Sequence, residues 1–419
     1  MSSSAPSHQT AVLLPTASVA IFSRHAETLE AARALTQDWR FARVTVEAHE
    51  GDTDTAIATY QRNSSPDMLM VQTDNIDEGF TDKLGELAGC CEEKTAAVVV
   101  GPVNDVALYR RLITMGVSDY LVHPVKVETL AEVIARALLE RLGVMDSRLL
   151  VLLGTKGGVG TSALAQAAAW TAAEKLGQKT LLLDMAGGWS SLGVGMGFDP
   201  TTTLSEAARV SNRGSAEDLQ RMFHAASPKL SVLASGGDVM LERAIAHGQM
   251  ESILDMVLPQ FPLVILDTSG APESVRQKAV VRANGLFLVS TPALSALRLS
   301  RTLIQEIRSL RADADKVLRL VINMAGTNPA SEVREGDIKE ALEVEPSAVI
   351  PFLPKLFMGC ESEGQKILDI REGEALAMSK IAPLMRSTVL QGMLEGSADK
   401  DKDKADAGGG FLANLFKKK

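Results

Sequence analysis

Two series of short apolar runs, separated by stretches of helical length, constrain this chain more than any other feature. The first comprises SVAIFS, ARVTVEA, DMLMVQ, AAVVVG and SDYLVH, between residues 18 and 123. Between them lie helical patterns such as AETLEAARALTQDW and VALYRRLITMG. The last, VETLAEVIARALLERLG, places Leu130, Val133, Ile134, Ala137 and Leu138 on one helical face. Five strand–helix units predict a small doubly wound sheet over residues 17–143. The second series reads LLVLLG, TLLLDM, LSVLAS, LVILDT, GLFLVS and RLVIN. Continuous apolar strands of this kind are buried on both faces, so a mostly parallel sheet is predicted over residues 148–392. The fold class is therefore α/β, with two doubly wound domains.

At 419 residues the chain is too long for one core, which agrees with two domains joined near Gly143–Ser147. Residues 1–16 are small and polar and are expected to form a flexible leader. Residues 393–410, which include SADKDKDKADAGGG, read as a disordered linker before a tail at 411–419. Cys90, Cys91 and Cys360 have neither disulfide-framework nor zinc spacing, which suits a reducing compartment. The N-terminal stretch lacks the pattern of a signal peptide, and no run reaches the ~18 apolar residues of a membrane span. The expected location is cytoplasmic. A net charge of −9 disfavours nucleic acid as the main partner.

The stretch LLVLLGTKGGVGTSALAQAAAW carries the most chemistry. A strand ending in Gly154 leads into Gly157, Gly158 and Gly160, then an alanine-rich helix. Glycines let main-chain N–H groups wrap around phosphate, and the helix N-terminus adds partial positive charge. Ser162 stands where a hydroxyl would bind Mg²⁺. Asp267 ends the apolar strand FPLVILD and Asp184 ends KTLLLD, so two carboxylates border the same end of the predicted sheet. As strand-end residues, either acid could also serve only to cap a turn.

TKGGVGTS resembles the deviant Walker A loop of the MinD/ParA ATPases, and the pattern continues across about residues 148–385. The resemblance implies ATP and Mg²⁺ as ligands. It implies nucleotide contacts from Lys156, Gly157, Gly158, Val159, Gly160, Thr161, Ser162 and Asn323, with Ser162, Asp267 and Asp184 toward the metal. Lys156 would reach across a homodimer to the partner's phosphates, and Asn323 would bond adenine. Three positions depart from the pattern: Thr161 replaces the second lysine, Ala186 replaces an acid that positions water, and Met324 replaces an arginine. A lost charge-assisted hydrogen bond costs about 1.5–3 kcal/mol, or about one to two decades of affinity. ATP binding is expected to be weakened, hydrolysis weak or absent, and no catalytic residue is assigned.

The first domain resembles an atypical receiver. The acidic pair, phosphoacceptor and lysine that receiver chemistry needs are replaced by Ser23–Arg24, Gln72 or Thr73, and His123. A receiver-like domain fused to a MinD-like one resembles the TadZ/CpaE family of pilus-assembly proteins. That resemblance implies a nucleotide-switched dimer serving the Tad/Flp pilus secretion machinery, commonly at a cell pole. A ParA-like ATPase that partitions DNA or cargo is the alternative. In the tail, Phe411, Leu412, Leu415 and Phe416 fall on one side at helical spacing, followed by Lys417, Lys418 and Lys419. Peripheral binding to an anionic inner-membrane surface is the first expectation. A soluble end and a peptide that docks on the pilus machine remain open beside it.

Overall fold

The apolar runs of the first series form five strands: β1 Ala17–Ser23, β2 Val44–Glu50, β3 Met68–Gln72, β4 Ala96–Gly101 and β5 Asp119–Val122. These and all later positions come from a computed structural model, which describes residues 14–92, 95–142, 147–186, 190–236 and 245–390. The chain divides into two units, Met1–Met145 and Asp146–Lys419. In the first unit the strands are all parallel, in the order β2-β1-β3-β4-β5, the order of flavodoxin-like sheets.

Phe22, Leu69, Val71 and Val99 on the sheet pack with Ile57, Tyr60, Phe80, Leu84 and Leu112 from the helices. The helix Val127–Arg141 buries Leu130, Val133, Ile134, Ala137 and Leu138, the face its spacing predicted. Each buried leucine contributes about 1.5–3 kcal/mol. The helix expected to run to Trp39 stops earlier, at Ala34, and two short 3₁₀ turns follow. Asp38 is the reason: it is extended, and its side chain accepts the Arg40 N–H to start the second turn. The leader is shorter than expected as well. Leu14 is fully buried, and its N–H donates to the Arg40 carbonyl at 2.9 Å.

Among the described residues the second unit holds eight strands: β6 Arg148–Gly154, β7 Thr180–Asp184, β8 His224–Ser227, β9 Leu230–Leu233, β10 Leu263–Asp267, β11 Gly285–Ser290, β12 Leu318–Ala325 and β13 Pro346–Pro351. Their order is β13-β12-β11-β6-β10-β7-β9-β8. Every pairing is parallel except β8 with β9. Strands β8 and β13 were not evident from the apolar pattern. The first, HAAS, is polar and half-exposed at a sheet edge. The second alternates burial and carries a proline at each end.

The linker 393–410 and the tail residues Phe411, Leu412, Leu415, Phe416, Lys417, Lys418 and Lys419 lie outside the described residues. Of the expected connector, Ser147 is described. It is buried and its hydroxyl donates to the Leu258 carbonyl, so it belongs to the second unit.

Candidate nucleotide site

Strand β10 lies between β6 and β7, which brings the three chemistry-bearing strand ends together. Asp267 is in register with Leu152 on one side and with Asp184 on the other. Neighbouring strands lie about 4.8 Å apart, so the two acids stand side by side. Thr268 locks this junction, its hydroxyl donating to the Leu152 carbonyl at 2.7 Å.

The loop after β6 is fastened at its start by the Thr155 N–H, which donates to the Val289 carbonyl at 2.9 Å. Gly158 and Gly160 have φ of +80° and +86°, conformations that side chains disfavour. A β-carbon at Gly157 or Gly158 would meet nothing within 4 Å, so the loop is an open cradle. One at Gly160 would collide with the Asn323 amide. Gly160 then caps the helix Thr161–Trp170, whose Ala165, Ala167, Ala168 and Ala169 are buried. Small side chains let that helix press closely on the sheet.

Around the loop opens a cavity of about 660 Å³. Lys156, Gly157, Gly158, Gly160, Thr161 and Ser162 line it, together with Thr268, Ser269, Gly270 and Arg276. Trp170, Phe357, Met358 and Ile367 add apolar walls to it. Cys360 also lines it. Burial pushes its thiol up, and the carboxylates of Glu363 and Asp369 push it further, which keeps the sulfur protonated.

Each expected site residue has a definite place. Lys156 is exposed on the loop, and Ser162 is half-buried in the first helical turn. Val159 is buried, 1% exposed, and contributes its backbone rather than its side chain. Thr161 is 6% exposed, with its hydroxyl folded back over Gly154. It fills the lysine position without supplying charge. Asp267 is 1% exposed; one carboxylate oxygen accepts the Ser269 N–H at 2.9 Å, and the other, Oδ2, has no hydrogen-bond partner. Asp184 is fully buried and accepts the Ala186 N–H at 2.9 Å. Gly270 lies opposite Ala186, so the place of the expected second acid is occupied by small groups.

Asn323 is the residue expected to bond adenine. It is 4% exposed, and its amide donates to the Val159 carbonyl at 2.9 Å. In this structure its side chain braces the loop from beneath, while its neighbour Met324 lines the cavity.

These residues fit a magnesium nucleotide. A buried carboxylate oxygen left bare is costly unless something binds it. Among the described residues no cluster of three His, Cys, Asp or Glu side chains exists. Mg²⁺ suits such a site, because it takes one or two carboxylates and completes its shell with phosphate oxygens and water. Sequence reasoning passed over Arg276. In ESVRQKAVVR it looks like one cation on a solvated helix, yet the fold sets it on the cavity wall.

The second unit has the fold of the MinD/ParA-type P-loop ATPases. No protein-family model matches the chain. The septum site-determining protein MinD of Thermotoga maritima is 25% identical over 205 residues, 48% of this chain and 74% of the relative. A ParA-family ATPase from Chlorobium tepidum superposes with a TM-score of 0.52 at 20% identity, covering 57% of this chain and 99% of its own. A pilus assembly protein CpaE from Caulobacter crescentus is 30% identical across 29% of this chain and 94% of its own, with a TM-score of 0.29.

Proposed function

We propose that the chain binds ATP with Mg²⁺ and uses the bound state to set a homodimer that positions Tad/Flp pilus machinery. Hydrolysis is slow or absent in this reading. One observation carries its chemical half: a glycine cradle and a half-buried Ser162 line one cavity, and the bare oxygen of Asp267 sits at the strand end just before the cavity residues Thr268 and Ser269. The backbone donors of the loop and the N-terminus of the Thr161–Trp170 helix would hold the phosphates. Ser162 and Asp267 would hold Mg²⁺, with Asp184 beside them, and the metal when bound supplies charge neutralisation. The apolar walls of the cavity would take the base, with Asn323 holding the loop in shape.

Weak turnover follows from Thr161 and Ala186. The first supplies no cation to the phosphates, and the second no carboxylate to orient water. The biological half rests on the resemblance of the two-unit order to TadZ/CpaE proteins. Analytical ultracentrifugation with ATP·Mg²⁺, ADP·Mg²⁺ and no nucleotide tests the switch: dimer is expected with ATP and monomer otherwise. A sedimentation profile indifferent to nucleotide would end the proposal.

The second reading, a ParA-like DNA- or cargo-partitioning ATPase, is favoured by the likeness of fold to the Chlorobium protein. It predicts a salt-sensitive gel shift with DNA, which the net charge of −9 opposes. No helix among the described residues is long and apolar enough to cross a membrane. The tail is proposed as a peripheral anchor at an anionic inner-membrane surface, strengthened when a dimer presents two copies. Liposome flotation should bring down full-length protein with ATP but release protein truncated after Gly396. Equal soluble fractions would remove the anchor from the scheme.

A further inference from the structure

We infer that Arg276, which lines the same cavity, supplies the phosphate-binding charge that the loop lacks at Thr161. This rests on the nucleotide reading above and assigns the cation within it. Arg276 lies in the first turn of the helix Glu273–Arg282, just beyond the strand-end acid Asp267. It lines the same cavity as Lys156, Gly157, Gly158 and Ser162. Its Nε is buried and has no hydrogen-bond partner, and among the described residues it forms no ion pair.

That state is unusual for an arginine. Elsewhere in this unit Arg311 donates to the Val280 and Ala283 carbonyls and pairs with Asp313. A guanidinium donor withdrawn from water and left without an acceptor is costly, which points to an anion that completes it. Planar guanidinium donors match phosphate oxygens, and one arginine can bond two of them.

Lys156 also lines the cavity, but it is exposed, and the resemblance assigns it to the partner's phosphates. Thr161 cannot fill this role, since its hydroxyl is folded over Gly154. Arg276 is the cation whose donor is already inside. Supplied from the helix after β10 instead of from the loop, the charge would bind phosphate without restoring the geometry of the loop lysine. That accounts for a chain that keeps the cradle and gives up the lysine.

The test uses the full-length protein and calorimetric titration with ATP·Mg²⁺, for wild type, Arg276→Gln, Arg276→Lys and the double variant Arg276→Gln/Thr161→Lys. Arg276→Gln is expected to weaken ATP binding by about 10-fold or more, as loss of a charge-assisted bond does. In the double variant, lysine at position 161 should recover most of that loss. The same lysine should gain less in the wild-type background, because the charge there is already supplied. Arg276→Lys keeps the charge but loses the planar fork, so about a 3-fold loss is expected. It also serves as the readout if Arg276→Gln does not fold. Wild-type affinity in both Arg276 variants would overturn the assignment and leave the nucleotide site standing. No binding by wild type at millimolar nucleotide would overturn the site itself, and this inference with it.

Discussion

Each unit carries a cavity at the carboxyl ends of parallel strands, and the two differ in what their charged groups do. In the N-terminal unit the cavity is about 350 Å³ and is rich in acids. Each main acid there has a basic neighbour: Asp52 pairs with Arg24 at 2.7 Å, Asp54 with Lys83 at 2.6 Å, and Asp74 with His25 at 2.7 Å. Asp77 caps a helix through the Phe80 N–H at 2.8 Å. Gln72, at the end of β3, accepts the Ser23 hydroxyl at 2.7 Å. In the C-terminal unit an acid and a base are left incomplete: Asp267 through Oδ2, next to the cavity residues Thr268 and Ser269, and Arg276 through Nε, on the cavity wall. At the same topological position the charged groups pair with one another in the first unit, where the Gln72 amide nitrogen is the one buried side-chain atom among the described residues that lacks a partner. In the second, a carboxylate oxygen and a guanidinium nitrogen lack one.

The largest break in that contrast should come from Gly160→Val. A β-branched residue at positive φ, pressed on the Asn323 amide, should abolish nucleotide binding and cost about 1–3 kcal/mol of stability. Retained binding in a titration would mean that the loop is not the cradle. Next, Asp267→Asn keeps the acceptor for the Ser269 N–H and removes the charge. It should weaken ATP binding by about 10- to 100-fold with Mg²⁺ present, and much less in EDTA. An equal loss in both buffers would assign Asp267 to structure alone.

A smaller effect, in the favourable direction, is expected from Thr161→Lys: about 2- to 3-fold tighter ATP binding, because Arg276 already supplies much of the charge. Phosphate release should stay low because Ala186 is unchanged. The smallest effect belongs to the N-terminal cavity. Burial pushes the Asp52 carboxyl up, but the Thr55 N–H and the Arg24 charge outweigh it and leave it below its usual 3.8. A carboxyl lowered on folding adds stability that is present above its unfolded value and lost as pH falls through its folded one. Asp52→Asn should therefore be slightly less stable than wild type at neutral pH and converge with it below pH 3.8. Parallel acid-unfolding curves would show that the pairing with Arg24 contributes nothing.

The sequence made the strands of both sheets legible because their interior residues are apolar without interruption, as in LVILD, where all five residues are buried. It could not reveal β8 or β13, which lie at sheet edges and bury only alternate or no side chains. The loop and its acids were readable because glycine spacing and strand-end carboxylates are local patterns. Roles decided by tertiary placement were not. Asn323 reads as a strand-end amide, and only the fold shows it bonded to Val159. Arg276 reads as a surface cation until the fold sets it on the wall of the same cavity as the loop.

The account stands on the claim that this cradle holds a triphosphate without the loop lysine, and calorimetric titration of the wild-type chain with ATP·Mg²⁺ reaches it most directly. Saturable binding is predicted, with affinity about one to two decades weaker than in Thr161→Lys when no other cation compensates, and closer to it when Arg276 does. The absence of any heat at millimolar ATP, in wild type and Thr161→Lys alike, would contradict it.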